Sequence, residues 1–154
     1  MIFEFGKFRV DVDVEATREF YQKHGKTVLE DCGCASCRNY YRAITKVPDK
    51  VKSFFDTLGI DPQKSPEATW FHTDEKGVAI YLILFHVVGT MVNEVELYRP
   101  VGDTGAFEPI PENYYKLEEG FNVGFMSKIY LLEEKFPKPC IQVEIDARLP
   151  WILD

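Results

Sequence analysis

Apolar and polar residues alternate strictly over Phe8-Arg9-Val10-Asp11-Val12-Asp13-Val14-Glu15, the two-residue period of a strand with one apolar and one charged face. Phe3 and Phe5 hold the opposite parity, and Gly6 between the two runs predicts a β-bulge that swaps the face. A helix is expected next, from about Val14 to His24, with Asp13 as N-cap and Gly25 as its stop. Ala16, Phe20 and His24 share one side of it, with Tyr21 adjacent. Lys26 to Asp31 has no decisive period. A second helix is expected from Ser36 to about Lys46. Val51, Phe54, Phe55 and Leu58 then fall at i, i+3, i+4 and i+7, which predicts a helix that Pro48 and Asp49 start and Gly59 closes.

From there the pattern turns to β. Trp70-Phe71-His72 leads into the hairpin-type turn Thr73-Asp74-Glu75-Lys76-Gly77. Val78 to Val88 is apolar at both parities and rich in β-branched residues, the mark of a central buried strand. Further strands are expected at Glu94–Tyr98 and at Phe121–Glu134, the latter broken near Gly124. Ile141, Val143 and Ile145 alternate with Gln142, Glu144 and Asp146, which predicts a last, half-exposed strand. The apolar tail Leu149-Pro150-Trp151-Ile152-Leu153 is expected to dock on the core. Between these strands, Arg99 to Gly120 is rich in Pro and Gly and exceeds the ~12–15 residues above which structureless loops become uncommon. It predicts a binding loop or a packed surface loop, with a short helix near Glu112–Glu119. The expected fold is therefore α+β, with an N-terminal strand and two to three helices packed on a mainly antiparallel β-sheet, in a single domain over residues 1–154.

Composition narrows the classes of function. Aromatic residues make up 14% of the chain, with 12 Phe and 8 Tyr, a load that belongs to a packed core. The net charge of −7 and the scattered basic residues argue against nucleic acid as a partner, since phosphate backbones call for a basic face. Met1 to Arg9 lacks a basic start followed by an apolar segment, and Val78–Val88 is too short to span a bilayer. The expectation is a cytoplasmic protein without a membrane role, whose partner is a protein or a small molecule.

The chemistry concentrates in Cys32-Gly33-Cys34-Ala35-Ser36-Cys37, which holds three of the chain's four cysteines. A C-x-x-C step lets two sulfurs reach one ion from a tight turn, and Cys32 adds a third through a C-x-C step. Gly33 is expected to supply the backbone angles of such a knuckle. Cys140, His72, His86 and His24 are the candidates for a fourth ligand. Cys140 is the simplest, giving a structural zinc site of Cys32, Cys34, Cys37 and Cys140 that ties the helical half to the last strand. Clustered thiols in a reducing compartment more often bind metal or react than form disulfides. Because the cluster precedes a helix, whose N-terminus stabilises thiolates, a redox couple of Cys34 and Cys37 is the rival reading.

The segment Cys32-Gly33-Cys34-Ala35-Ser36-Cys37-Arg38-Asn39-Tyr40 resembles the C-x-C-x-x-C-R-N-aromatic motif of a poorly characterised family of small bacterial proteins. Ala16-Thr17-Arg18 behind the charged first strand, Leu58-Gly59-Ile60-Asp61-Pro62, Phe85-His86-Val87-Val88-Gly89 and Leu149-Pro150-Trp151 are similar as well. The resemblance implies a family label and no catalytic residues.

The remaining constellations have ordinary readings beside them. A lone core histidine such as His86 is usually a satisfied hydrogen-bonding group. Asp11, Asp13 and Glu15 would cluster with Glu144 and Asp146 if the first and last strands were neighbours; otherwise they form a solvated face. Arg38, Arg42 and Lys46 form a basic strip or an ordinary solvent face. No dinucleotide, Walker, nucleophile-elbow or zinc-protease motif is present.

Overall fold

The computed structural model describes residues 1–154. Strands β1 (Ile2–Phe5) and β2 (Phe8–Val12) open the chain, followed by helices α1 (Val14–Lys23), α2 (Val28–Asp31), α3 (Ala35–Ala43) and α4 (Asp49–Leu58). Strands β3 (Glu67–Thr73), β4 (Val78–Met91), β5 (Tyr98–Pro100), β6 (Phe107–Pro109), β7 (Tyr115–Glu118), β8 (Phe121–Met126) and β9 (Cys140–Pro150) complete it. The fold is α+β: helices pack on one antiparallel seven-stranded sheet of order β1-β2-β4-β9-β8-β7, and β3 also pairs with β4. β5 and β6 form a separate hairpin.

The sequence pattern explains most of these elements. Asp13 caps α1 by accepting the Ala16 N–H at 3.0 Å, and Gly59 ends α4 in the left-handed conformation. Residues 26–31, without a decisive period in sequence, become the one-turn α2, started by a capping box of Thr27 and Glu30. Gly6 differs from expectation. It makes no bulge but sits at φ +58 in the two-residue turn of the β1–β2 hairpin, pairing Phe5 with Phe8. The face swap is thus a strand reversal.

β4 is the spine. One edge pairs with β9 along Val78–Val88. The other is shared by β3, against Ala79–Leu84, and β2, against Gly89–Met91. Between those two strands the ladder has a gap, which α1 fills with side chains. The Tyr21 hydroxyl accepts from His86 N and donates to His86 O, and Thr17 Oγ1 accepts from Val88 N. These polar residues are buried because they complete backbone hydrogen bonding in the core.

The sheet has two different faces. Ala79, Tyr81, Ile83, Phe85 and Val87 of β4 lie beside Leu149, Ala147, Ile145, Val143 and Ile141 of β9, all buried under the helices. Phe55 of α4 packs on Phe85, and Tyr40 of α3 on Tyr81. The opposite parity carries Leu82, Leu84 and His86 beside Asp146, Glu144 and Gln142. β9 was expected to expose this face, yet Gln142 is 0% and Glu144 4% exposed. It is covered by residues 92–114 and 127–139. Leu97 and Tyr114 come so close to Gly124 that a Cβ there would lie 2.8–2.9 Å from their side-chain atoms. Gly124 therefore does not break β8; it seats the cover.

Three further expectations change. Glu94–Leu97 is irregular, with β5 beginning at Tyr98. The helix expected at Glu112–Glu119 is instead a short 3-10 turn at Pro111–Asn113 followed by β7, because the turn at Gly120 folds that segment back onto β8. Phe121–Glu134 contains one strand that stops at Met126.

Candidate metal centre

The knuckle lies between two helix ends. Cys32 closes α2, Cys34 occupies the N-cap position of α3, and Cys37 lies in the first turn of α3. The three sulfurs lie within 4.8 Å of one another. Zinc–sulfur bonds of about 2.3 Å place tetrahedral sulfurs about 3.8 Å apart, so modest side-chain adjustment brings all three onto one ion. Gly33 between them has no left-handed backbone and open space where a Cβ would be, so glycine is not required there for the turn.

The surroundings brace the knuckle from the core side. Arg38 reaches back to donate to Gly33 O. Tyr81, buried in β4, donates its hydroxyl to Ser36 O at 2.8 Å. Asn39, completely buried, donates to the Tyr81 hydroxyl at 3.3 Å and to Pro150 O at 3.2 Å, while its carbonyl accepts from Ile152 N at 2.7 Å. The Arg-Asn-aromatic run after Cys37 thus has a structural account. Arg38 ties the loop, Asn39 holds the C-terminal tail, and Tyr40 enters the core with its hydroxyl on Pro62 O.

The three thiols are electrostatically unequal. Cys34 is exposed, and its pKa is lowered to about 6 by hydrogen bonds from Ser36, Cys32 and the Cys37 backbone N–H. Burial, with the neighbouring sulfurs adding to it, pushes Cys37 up to about 12. A thiolate is therefore favoured at the helix N-terminus, while the sulfur nearest the core keeps its proton. Beside Cys34 an open groove of ≈580 Å³ is walled by Trp70, Thr73 and Trp151, with the two indole rings 5.9 Å apart.

None of the expected fourth ligands joins the trio. Cys140 pairs with Val88, whereas the strand position beside the knuckle is Ala147, opposite Tyr81. Those positions on β9 are about 23 Å apart at ~3.3 Å per residue, and Cys140 points to the opposite face. The structure thus brings together Cys32, Cys34 and Cys37 and leaves Cys140 apart from them. His72, another candidate fourth ligand, lies on β3, where an irregularity between Trp70 and His72 sets Trp70 opposite Tyr81 and His72 opposite Ile80. That turns His72 to the face away from the knuckle. His86 is a core hydrogen-bonding group, with Nε2 2.9 Å from Tyr130 O and 3.4 Å from Gln142 Oε1. Burial lowers its pKa. His24 lies exposed at the end of α1, its ring 5.7 Å from that of Phe20.

The acidic cluster considered between first and last strands does not form, since β4 separates β2 from β9. Glu144 instead lies in a network that sequence reasoning missed. Its carboxyl accepts from the Tyr98 hydroxyl and from Gln142 Nε2, and Gln142 Oε1 accepts from Tyr130 N. The only sequence signal was a Gln and a Glu at alternate positions of a strong strand, which also describes a solvated face.

Comparison with known protein families, with curated proteins and with solved structures found no match. No helix is long and apolar enough to cross a membrane.

Proposed function

We propose that this chain is a zinc-binding protein of the cytoplasm in which Cys32, Cys34 and Cys37 hold one ion, and that it serves as a binding or interaction module. The observation that carries this reading is the convergence of three sulfurs, two of them exposed, on a brace of buried hydrogen bonds. Structural zinc sites are closed by four protein ligands, while three ligands with one exchangeable position make an open site. Three sulfurs here favour the open kind, with the fourth position taken by solvent or by a donor from a partner. The Trp70–Trp151 groove beside Cys34 offers that partner an aromatic surface. Elemental analysis of protein purified without chelator tests the reading: about one zinc per chain is expected, and metal-free protein with all thiols reduced overturns it.

The exposed position of Cys34 at the N-cap of α3, with the Cys37 sulfur within 4.8 Å of it, favours a second reading, a thiol redox protein. The Cys34 thiolate would attack a disulfide of a substrate and expel its thiolate. Cys37, on losing its proton, would then displace the substrate's second sulfur and close a Cys34–Cys37 disulfide. This reading requires Cys34 to alkylate with iodoacetamide near neutral pH much faster than an ordinary thiol, and to form that disulfide under mild oxidation. Slow alkylation overturns it.

A further inference from the structure

A buried carboxyl group in a protein normally faces a cation, because burial strips it of the water that would otherwise solvate it. Glu144 is 4% exposed and takes part in none of the ion pairs of the molecule. Its two oxygens accept one hydrogen bond each, from Tyr98 and Gln142. A carboxylate has about four lone-pair sites, so half of its accepting capacity is free. That capacity borders a cavity of ≈520 Å³ between the covering segments and the sheet.

The lining specifies a ligand. Glu94, Glu96 and Glu144 supply three carboxyl groups against the single basic residue Lys128. Lys128 lies over the Tyr130 ring, its Nζ 5.5 Å from the centroid, and takes part in no ion pair with Glu144. The apolar wall is Leu97, Phe107 and Met126, with Phe107 67% exposed at the rim. Because the Tyr98 hydroxyl gives its proton to Glu144, it can only accept from any further partner. Acceptors outnumber donors, carboxyls outnumber cations, and aromatic faces and a thioether surround them. Such a lining attracts an ammonium group carried on an apolar body.

We propose that this cavity, on the sheet face away from the cysteine knuckle, binds a small organic amine whose ammonium group pairs with Glu144 and whose apolar body lies against Phe107, Met126 and Tyr130. The site shares no residue with the thiol trio and does not depend on metal there.

A matched series tests this by calorimetric titration of the full chain: 2-phenylethylamine, its neutral analogue 2-phenylethanol and the anion 3-phenylpropionate. The amine is expected to bind saturably, the alcohol at least about tenfold more weakly, consistent with loss of a charged hydrogen bond, and the anion least. Glu144→Gln, which keeps an acceptor for Tyr98 but turns an amide N–H toward the Gln142 Nε2 donor, is expected to remove the preference for amine over alcohol with little change in the thermal midpoint. Should that variant fold poorly, Phe107→Ala at the exposed rim is expected to weaken amine and alcohol together. Equal binding of amine and alcohol to the wild type, no binding of the amine, or an unchanged preference in folded Glu144→Gln overturns the proposal.

Discussion

The cysteine knuckle and the Glu144 network flank the same pair of central strands, yet they are built in opposite ways. The knuckle gathers its reactive atoms within six consecutive residues, at an exposed junction of two helices, and borrows rigidity from buried Asn39 and Tyr81. The network gathers His86, Tyr98, Gln142 and Glu144 from three separate segments and hides them under irregular chain. Proximity in sequence suffices for the first. The second exists only because strand pairing and a covering segment bring its members together. Exposed thiols can exchange ligands with solvent, whereas buried hydrogen-bonded groups hold a fixed geometry.

The strongest way to break this contrast is to remove the brace that links the knuckle to the core. Asn39→Ala is expected to lower stability by about 3 kcal/mol, since it leaves Pro150 O and Ile152 N without their partners. Chemical denaturation measures it, and a loss below 1 kcal/mol contradicts the role given to Asn39. Next in size, zinc at about a hundredfold excess over its dissociation constant is expected to raise stability by about 2.7 kcal/mol. The increment should vanish in Cys34→Ser and persist in Cys140→Ser, read as the shift in thermal midpoint.

A pH series sharpens the comparison on the thiol side. Alkylation of metal-free protein at Cys34 should follow its thiolate and reach half its maximal rate near pH 6. The sign for folding follows from the same shift. A lowered native pKa stabilises the native state above the ordinary thiol value of 9.0, and that contribution is lost as pH falls toward 6. Cys37, raised by burial, acts in the opposite direction above pH 9. Peptide-mapped alkylation rates between pH 5 and 9 check this; a midpoint near 9 for Cys34 contradicts it. The smallest expected effect lies on the other face: Glu144→Gln should change stability by less than about 1 kcal/mol, because removing a buried carboxyl without a counter-ion is offset by the donor–donor contact its amide makes with Gln142 Nε2. A large loss would make Glu144 a structural requirement.

Legibility in the sequence follows the same division. The alternation at Phe8–Val14, the i, i+3, i+4, i+7 spacing of α4 and the doubly apolar β4 translate directly into elements, because each pattern reports a buried face. The trio was legible because a tight turn alone brings its sulfurs together. Cys140 misled because chemical suitability as a ligand carries no information about position along a strand. Gln142 and Glu144 read as a solvated face because nothing in Arg99–Gly120 announces that it covers them. Charged residues at Glu112–Glu119 match helix propensity, but pairing with β8 through Gly120 overrides it.

Cobalt titration of the reduced protein, read through the thiolate-to-cobalt charge-transfer absorption, tests the three-sulfur site most directly. One cobalt per chain is predicted, with the band unchanged in Cys140→Ser and weakened in each of Cys32→Ser, Cys34→Ser and Cys37→Ser. A band that depends on Cys140, or no thiolate band at all, contradicts the account.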